Sequence, residues 1–446
     1  MLALCLAEFA NSQQFSPLIA YDKVVESPIN PNITISYREP KPGTCVTDIP
    51  GQKQYSGYVN LPPFALAPYQ QDYPVKTFFW FFESRNNSDS APLTIWLNSG
   101  PGSSSMIGLF REPGPCEVVQ LPDSSYDTKV NPWGWDRSSN LLFIDQPTRV
   151  EFSSDQAMNV SRDIRTNKVI QPPSEGELPL WAQNNSNLVS GGPDHMQNST
   201  FIAARAVWHL LQGFLSTFPQ YNPGHLLERA FIQPTSINLF TKNYGGIYGP
   251  IFANFFEDQN ERRRIGEIPS DSTLEISISS LGIVNGLVDE IIQTSALASF
   301  AYNNTYGIES ISHTQSINFL SDFRKPGGCK ELANQCNIHA TAESPDGKNL
   351  DQDTADVCER ASDVCWRLTN AIIQRSGRSP YDIRATSPHS FSSLTYLEYL
   401  NYSDGQRFVG TKANYTGSNY VVHEAFRRRE YPLLFPHFNT LMYGSR

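Results

Sequence analysis

Leu239-Phe240-Thr241-Lys242-Asn243-Tyr244-Gly245-Gly246-Ile247-Tyr248-Gly249-Pro250 is the stretch on which the fold of this chain turns. It begins as the end of an apolar run, Ile237-Asn238-Leu239-Phe240, passes through a glycine-bearing turn, and is followed by Ile251-Phe252-Ala253-Asn254-Phe255-Phe256, which reads as helical. Strand, tight turn, helix is the repeating unit of a mostly parallel sheet with crossover helices. On pattern alone a mixed α+β arrangement is the alternative.

Working outward, three upstream runs are short, apolar and aromatic: Thr77-Phe78-Phe79-Trp80-Phe81-Phe82, Leu93-Thr94-Ile95-Trp96-Leu97, and Leu141-Leu142-Phe143-Ile144 ending at Asp145. They read as buried strands. Ala203-Ala204-Arg205-Ala206-Val207-Trp208-His209-Leu210-Leu211 has helical periodicity and stops at Phe218-Pro219. Between these segments, about 155–200, Asn, Ser, Gln, Pro and Gly crowd into a loop-rich insertion. From about 300 to 395 cysteines, polar residues and short helical pieces such as 356–375 read as a cap inserted into the core. The expected organisation is an α/β core over 40–300, this cap over 300–395, and an incomplete return to the core over 396–446.

The chain has 446 residues and 50.0 kDa, with 39% hydrophobic and 12% aromatic residues, so it folds rather than remaining disordered. Only 17% of residues are charged, against roughly a quarter in an average soluble domain, so solubility has to come from uncharged polar groups or attached sugar. A net charge of −10 leaves no basic footprint for nucleic acid or an anionic membrane face. No run approaches the 18 or so apolar residues of a membrane span. The first seven residues, Met-Leu-Ala-Leu-Cys-Leu-Ala, resemble the apolar part of a secretory signal but lack a basic start and meet Glu8 early, so 1–20 is expected to be a shortened or degraded signal segment.

Cysteines stand at 5, 45, 116, 329, 336, 358 and 365. The last four have mirrored spacing, six residues between members of each pair, which suits nested bridges Cys329–Cys365 and Cys336–Cys358. Four cysteines allow three connectivities, and spacing does not choose among them. A zinc site is a weaker reading, because CxxxxxxC is not knuckle spacing. Cys45 and Cys116 would then pair, leaving Cys5 odd, as suits a removed leader. Asn-x-Ser/Thr acceptors occur at Asn32, Asn86, Asn159, Asn184, Asn198, Asn303, Asn401 and Asn414. Together with paired cysteines and low charge they point to a glycosylated product of the secretory pathway, secreted or vacuolar.

The elbow segment resembles the serine carboxypeptidase family, especially its fungal secreted branch, whose corresponding motif reads Glu-Ser-Tyr-Gly-Gly. Three further blocks carry the resemblance: Trp96-Leu97-Asn98-Ser99-Gly100-Pro101-Gly102-Ser103-Ser104-Ser105-Met106, Gly108-Leu109-Phe110-Arg111-Glu112-Pro113-Gly114-Pro115-Cys116, and Phe143-Ile144-Asp145-Gln146-Pro147. Similarity runs from roughly residue 40 to at least 320. It implies an α/β-hydrolase fold with a helical, disulfide-bonded cap, and an exopeptidase that releases residues from peptide C-termini by Ser/His/Asp acyl transfer, without metal or cofactor. Its partners are peptide or protein C-termini.

The departures from the family decide the functional expectation. The nucleophile position is Asn243, whose amide cannot form an acyl-enzyme. The glutamate before the serine, a ligand for the substrate carboxylate in the family, is Lys242. The first glycine of the family's Asn-Gly-Gly-Pro-Gly is Ser99, and a glycine of its Val-Gly-Phe-Ser run is Glu151. The family's Asp and His lie further along, and this chain is expected to stop before both, with the last part of the core missing. The resemblance assigns oxyanion-hole positions to the backbone at Gly100 and Tyr244, and carboxylate-binding positions to Asn98, Lys242 and Glu112. Asn is also among the few residues enriched at positive φ, so the turn can survive without its chemistry. Ser103, Ser104 and Ser105 are read as loop packing, the eight histidines as structural or surface groups, and the runs Arg262-Arg263-Arg264 and Arg427-Arg428-Arg429 as solvated faces. The expectation is a catalytically inactive family member. Its alternatives are a working carboxypeptidase behind a faulty or truncated gene model, and a non-catalytic binder of peptide C-termini.

Overall fold

Val75-Lys76-Thr77-Phe78-Phe79-Trp80-Phe81-Phe82 is apolar on both faces of an extended chain, and such a strand is stable only with cover on both sides. The computed structural model supplies that cover. It describes residues 21–69, 71–98, 100–155, 158–163, 169–170, 182–189, 195–223, 235–343, 351–386, 395–401, 409 and 415–430. The leader segment with Cys5, Ser99, Asn414 and residues 431–446 lie outside the described residues, as do the side chains of Asn159, Asn184 and 427–430.

In chain order the strands are β1 (Lys23–Glu26), β2 (Thr34–Arg38), β3 (Gln54–Leu61), β4 (Val75–Phe82), β5 (Leu93–Leu97), β6 (Cys116–Gln120), β7 (Tyr126–Val130), β8 (Asn140–Ile144), β9 (Met158–Asp163), β10 (Val169–Ile170), β11 (Ala182–Val189), β12 (Thr235–Lys242) and β13 (Ile276–Val284). The helices are α1 (Met106–Arg111), α2 (Thr200–Thr217), α3 (Gly245–Arg264), α4 (Glu290–Tyr302), α5 (His313–Arg324), α6 (Cys329–Glu343), α7 (Gln352–Ser376), α8 (Thr395–Asn401) and α9 (Tyr420–Glu430).

Eight strands form one mixed sheet in the order β1-β2-β3-β4-β8-β5-β12-β13. The pairings from β1 to β8 are antiparallel, and β8, β5, β12 and β13 run parallel, so the three predicted aromatic strands and the elbow strand lie side by side. Register places Phe240 opposite Trp96, and Trp96 opposite Phe143. On one face α2 and α3 bury Leu211, Phe214, Tyr248 and Phe252 against Phe79, Phe81, Ile95 and Leu239. On the other, Trp80, Phe82, Trp96 and Phe143 pack with Phe110 of α1 and Tyr399 of α8. Each such aromatic contributes roughly 1.5–3 kcal/mol of burial, and burial on both faces is why these strands read as continuous rather than alternating runs.

Helices α4–α7 build a separate core around Ala298, Phe319, Phe323 and Ile372. The cysteines of α6 are seven residues apart, as are those of α7, and seven residues make about two helical turns, so each pair shares one helix face. With the helices antiparallel, the bonds formed are the nested ones, Cys329–Cys365 and Cys336–Cys358, at Cα separations of 4.7 and 4.8 Å. Cys45–Cys116 joins the chain before β3 to β6, at 5.6 Å.

Two features depart from the pattern reading. The segment expected to be loop-rich carries the small antiparallel sheet β10-β9-β11, which its polar composition concealed. The helical unit starts with α4 at Glu290, before the expected boundary at 300, and α6 and α7 are full helices of 15 and 25 residues rather than short pieces. Among the described residues no helix is long and apolar enough to cross a membrane.

Candidate active site

The turn from β12 into α3 places Asn243 at φ 58°, in the left-handed region that costs most side chains energy and that Asn tolerates better than most. Its backbone is fully used. The Asn243 N–H donates to Val284 O (3.0 Å), and its carbonyl accepts from Gly246 N (3.0 Å) and Leu287 N (2.7 Å). A Cβ on Gly246 would stand 2.1 Å from Leu287 O, so that glycine is what lets the following loop close over the start of the helix. The Asn243 side chain folds back on the turn, its Oδ1 accepting the Tyr244 N–H at 2.8 Å.

Beside the elbow, the loop between β5 and α1 is organised by a buried carboxyl. Asp145 Oδ1 accepts Ser104 Oγ–H (2.7 Å) and Ser105 N–H (2.8 Å), while Ser105 Oγ donates to Ile144 O (2.5 Å) and accepts the Asn98 N–H (3.0 Å). Burial pushes the Asp145 carboxyl up to about 7, with the bonds from Ser104 and Ser105 opposing the shift. Both hydroxyl protons are thus committed to structure, which agrees with reading these serines as packing. Asn98 Oδ1 accepts the Trp96 indole N–H (2.8 Å), and its Nδ2 has no partner among the described residues.

The structure brings Lys242 and Glu112 together as an ion pair, their side chains 28% and 23% exposed. Asn98, Lys242, Glu112, Asn243 and Tyr244 thus lie around the ends of the adjacent strands β5 and β12. What the sequence reading missed is the segment 415–426. Gly417 O accepts the Ser104 N–H (3.0 Å), Gly102 O accepts the Asn419 N–H (2.8 Å), and a Cβ on Gly102, at φ 95°, would collide with Asn419 O. Glu151, at φ 43°, occupies backbone that suits glycine, and its carboxylate accepts Thr416 N–H (2.7 Å) and Oγ1–H (2.8 Å).

His423 of α9 lies with Nδ1 3.1 Å from Gly100 O. A carbonyl only accepts, so Nδ1 is the donor in this contact. One turn on, the Phe426 ring is 6.3 Å from that of Tyr244 and 5.9 Å from that of Tyr248. No motif flags His423; the i, i+4 pair Val422 and Phe426, both buried, was the available signal.

The remaining described histidines are elsewhere. His209 is buried, which pulls its imidazole down to about 4. His195 Nδ1 is 2.7 Å from Asp155 Oδ2, and its ring stacks on Tyr73. His313 stacks on Tyr302, and His339 is exposed. His225, His389 and His437 lie outside the described residues. Among the described residues no group of three or more His, Cys, Asp or Glu could hold a metal.

A parallel strand ending in a sharp turn at positive φ, followed at once by a helix against the next strand, defines an α/β-hydrolase-type scaffold. A family model described as serine carboxypeptidase matches residues 42–444, and the chain belongs to that family. It is 37% identical to Carboxypeptidase S1 homolog B of Arthroderma otae over 437 residues, covering 95% of this chain and 64% of that protein. It is 33% identical to Carboxypeptidase S1 of Penicillium janthinellum over 374 residues, covering 84% and 69%. The chain thus spans about two thirds of the length of these curated relatives. The crystal structure of Kex1(delta)p, a prohormone-processing carboxypeptidase from Saccharomyces cerevisiae, superimposes with a TM-score of 0.52 at 19% identity, covering 93% of this chain and 74% of that one, a likeness of fold.

Proposed function

We propose that the chain, as its sequence stands, is a serine carboxypeptidase relative that does not hydrolyse peptides but keeps a site for their C-termini. One observation carries this: the tip of the elbow is Asn243, and its side chain holds the N–H of Tyr244. An amide offers no hydroxyl to acylate, and loss of a triad nucleophile costs on the order of 10⁶ in turnover. The donor that the resemblance assigns to an oxyanion is engaged as well. What remains for a peptide carboxylate is the partly exposed Lys242 cation, which it would share with Glu112, and the Asn98 amide, with no cofactor.

Passage through the secretory pathway belongs to the same proposal. Three disulfides and the exposed acceptors Asn32, Asn86, Asn303 and Asn401 support it.

A fluorophosphonate probe applied to the purified protein tests inactivity. No labelling above a denatured control is expected, and labelling would overturn the reading. Re-reading the codon for Asn243 tests the rival, a working enzyme behind a faulty sequence, which a serine codon would favour. Calorimetry with peptides ending in a free or an amidated carboxyl tests recognition, since equal binding of both would remove the carboxylate argument.

A further inference from the structure

Outside the elbow, the helical unit bears a half-open cavity of about 310 Å³ between α4, the end of α7 and the loop 378–384. Its floor is apolar: Leu297 and Ala301 from α4, Ile372 and Ile373 from α7. Its rim is aromatic, with Phe300, Tyr306 and Tyr381 all well exposed although each is a large ring. An apolar floor with a few polar groups at the mouth is the usual make-up of a small-molecule site, and this volume sits at the lower end of the roughly 300–1,000 Å³ such sites span.

The charges at the mouth select the ligand. Arg384 is spent: its Nε and Nη2 bind the two oxygens of Asp382 at 2.9 Å each, and its guanidinium lies over the Tyr306 ring at 5.6 Å. Arg378 is different. It lines the same cavity, is half-buried, and its guanidinium has no ion-pair or hydrogen-bond partner among the described residues. Among the described residues the lining therefore carries one positive charge without a counter-charge, on a chain whose net charge is −10. A guanidinium binds a carboxylate through two parallel N–H donors, and partial burial strengthens that bond over one in water.

We propose that this cavity binds a small amphipathic carboxylate, its hydrocarbon part on the Leu297–Ile373 floor and its carboxylate on Arg378. The proposal is independent of any reading of the elbow, because none of these residues belongs to it.

Calorimetry on the full chain with octanoate, octan-1-ol and octylamine tests it, since the three share a tail and differ in the head group. Octanoate is expected to bind at least tenfold tighter than the other two. Arg378→Gln should bring octanoate to within about twofold of octanol, and Arg378→Lys should keep part of the preference. Leu297→Trp, which narrows the floor without touching the cation, should weaken octanoate and octanol together. Thermal melts of each variant separate loss of binding from loss of fold. Absence of octanoate binding, equal binding of octanoate and octylamine, or an unchanged preference in a folded Arg378→Gln variant would each overturn the proposal.

Discussion

The side-chain carbonyl of Asn243 and the backbone N–H of Tyr244 are bonded to each other at 2.8 Å, so the residue at the tip of the turn occupies the donor that follows it. Two separable effects meet at this position, backbone tolerance and side-chain bonding. Asn243→Gly keeps the first and loses the second, whereas Asn243→Ala loses both. At φ 58° alanine should cost about 1–2 kcal/mol more than glycine. Urea denaturation of the two variants measures the difference, and equal stabilities would show that the turn is not strained.

Glu112 is ion-paired with Lys242, so on the proposed function it competes with a ligand carboxylate for that cation. Glu112→Gln should raise affinity for a free-carboxyl peptide about tenfold, equivalent to about 1.4 kcal/mol, and leave the amidated peptide unchanged. Lys242→Gln should erase the distinction between the two peptides. Calorimetry reads both, and an unaltered affinity in Glu112→Gln would mean that the pair is a bystander.

Asp145 and His209 give opposing pH dependences. The Asp145 carboxyl rises from 3.8 to about 7 through burial, so its contribution is complete below about pH 4 and is lost as pH rises through 7. The His209 imidazole falls from 6.5 to about 4, also through burial, so its contribution is present above 6.5 and is lost as pH falls to 4. Between pH 4 and 6.5 the two largely cancel. Asp145→Asn removes one side, and that variant should gain on the order of 3 kcal/mol over this interval. Denaturant midpoints at pH 4, 5.5 and 6.5 check it; parallel curves for parent and variant would refute the assignment.

The nested bridges close loops of 22 and 36 residues in the helical unit. Replacing Cys336 and Cys358 by alanine should lower stability by about 3 kcal/mol, chiefly by freeing the unfolded chain. The loss should fall on α6 and α7, so hydrogen exchange should rise there before it rises in β4 or β5. Uniform acceleration would instead tie the unit to the sheet as one cooperative block.

Much of this architecture was legible because its signals are local. Thr77 to Phe82 and Leu93 to Leu97 announce buried strands by composition alone, and Gly245-Gly246 announces a turn that needs close approach. The side-chain bond of Asn243 to Tyr244 and the pairing of Lys242 with Glu112 were not legible, although all four residues were picked out, because an ion pair between positions 112 and 242 has no signature along the chain. The strands β9–β11 were missed for a different reason, since polar residues dominate their sequence and leave no hydrophobic period to read. His423 was missed because its role is set by Gly100, far away in sequence.

That last distance bears on how the protein is made. Gly100, Gly102 and Ser104 are bonded to His423, Asn419 and Gly417, so the loop beside the elbow takes its final form only when a segment more than 300 residues later has been supplied. At about 5–20 residues per second the ribosome needs roughly 15–60 s to cover that interval. Throughout it the first strands are present while the contacts that finish the loop are still unsynthesised. A chaperone or processing enzyme that meets the nascent chain before residues 415–426 emerge therefore meets a half-built loop.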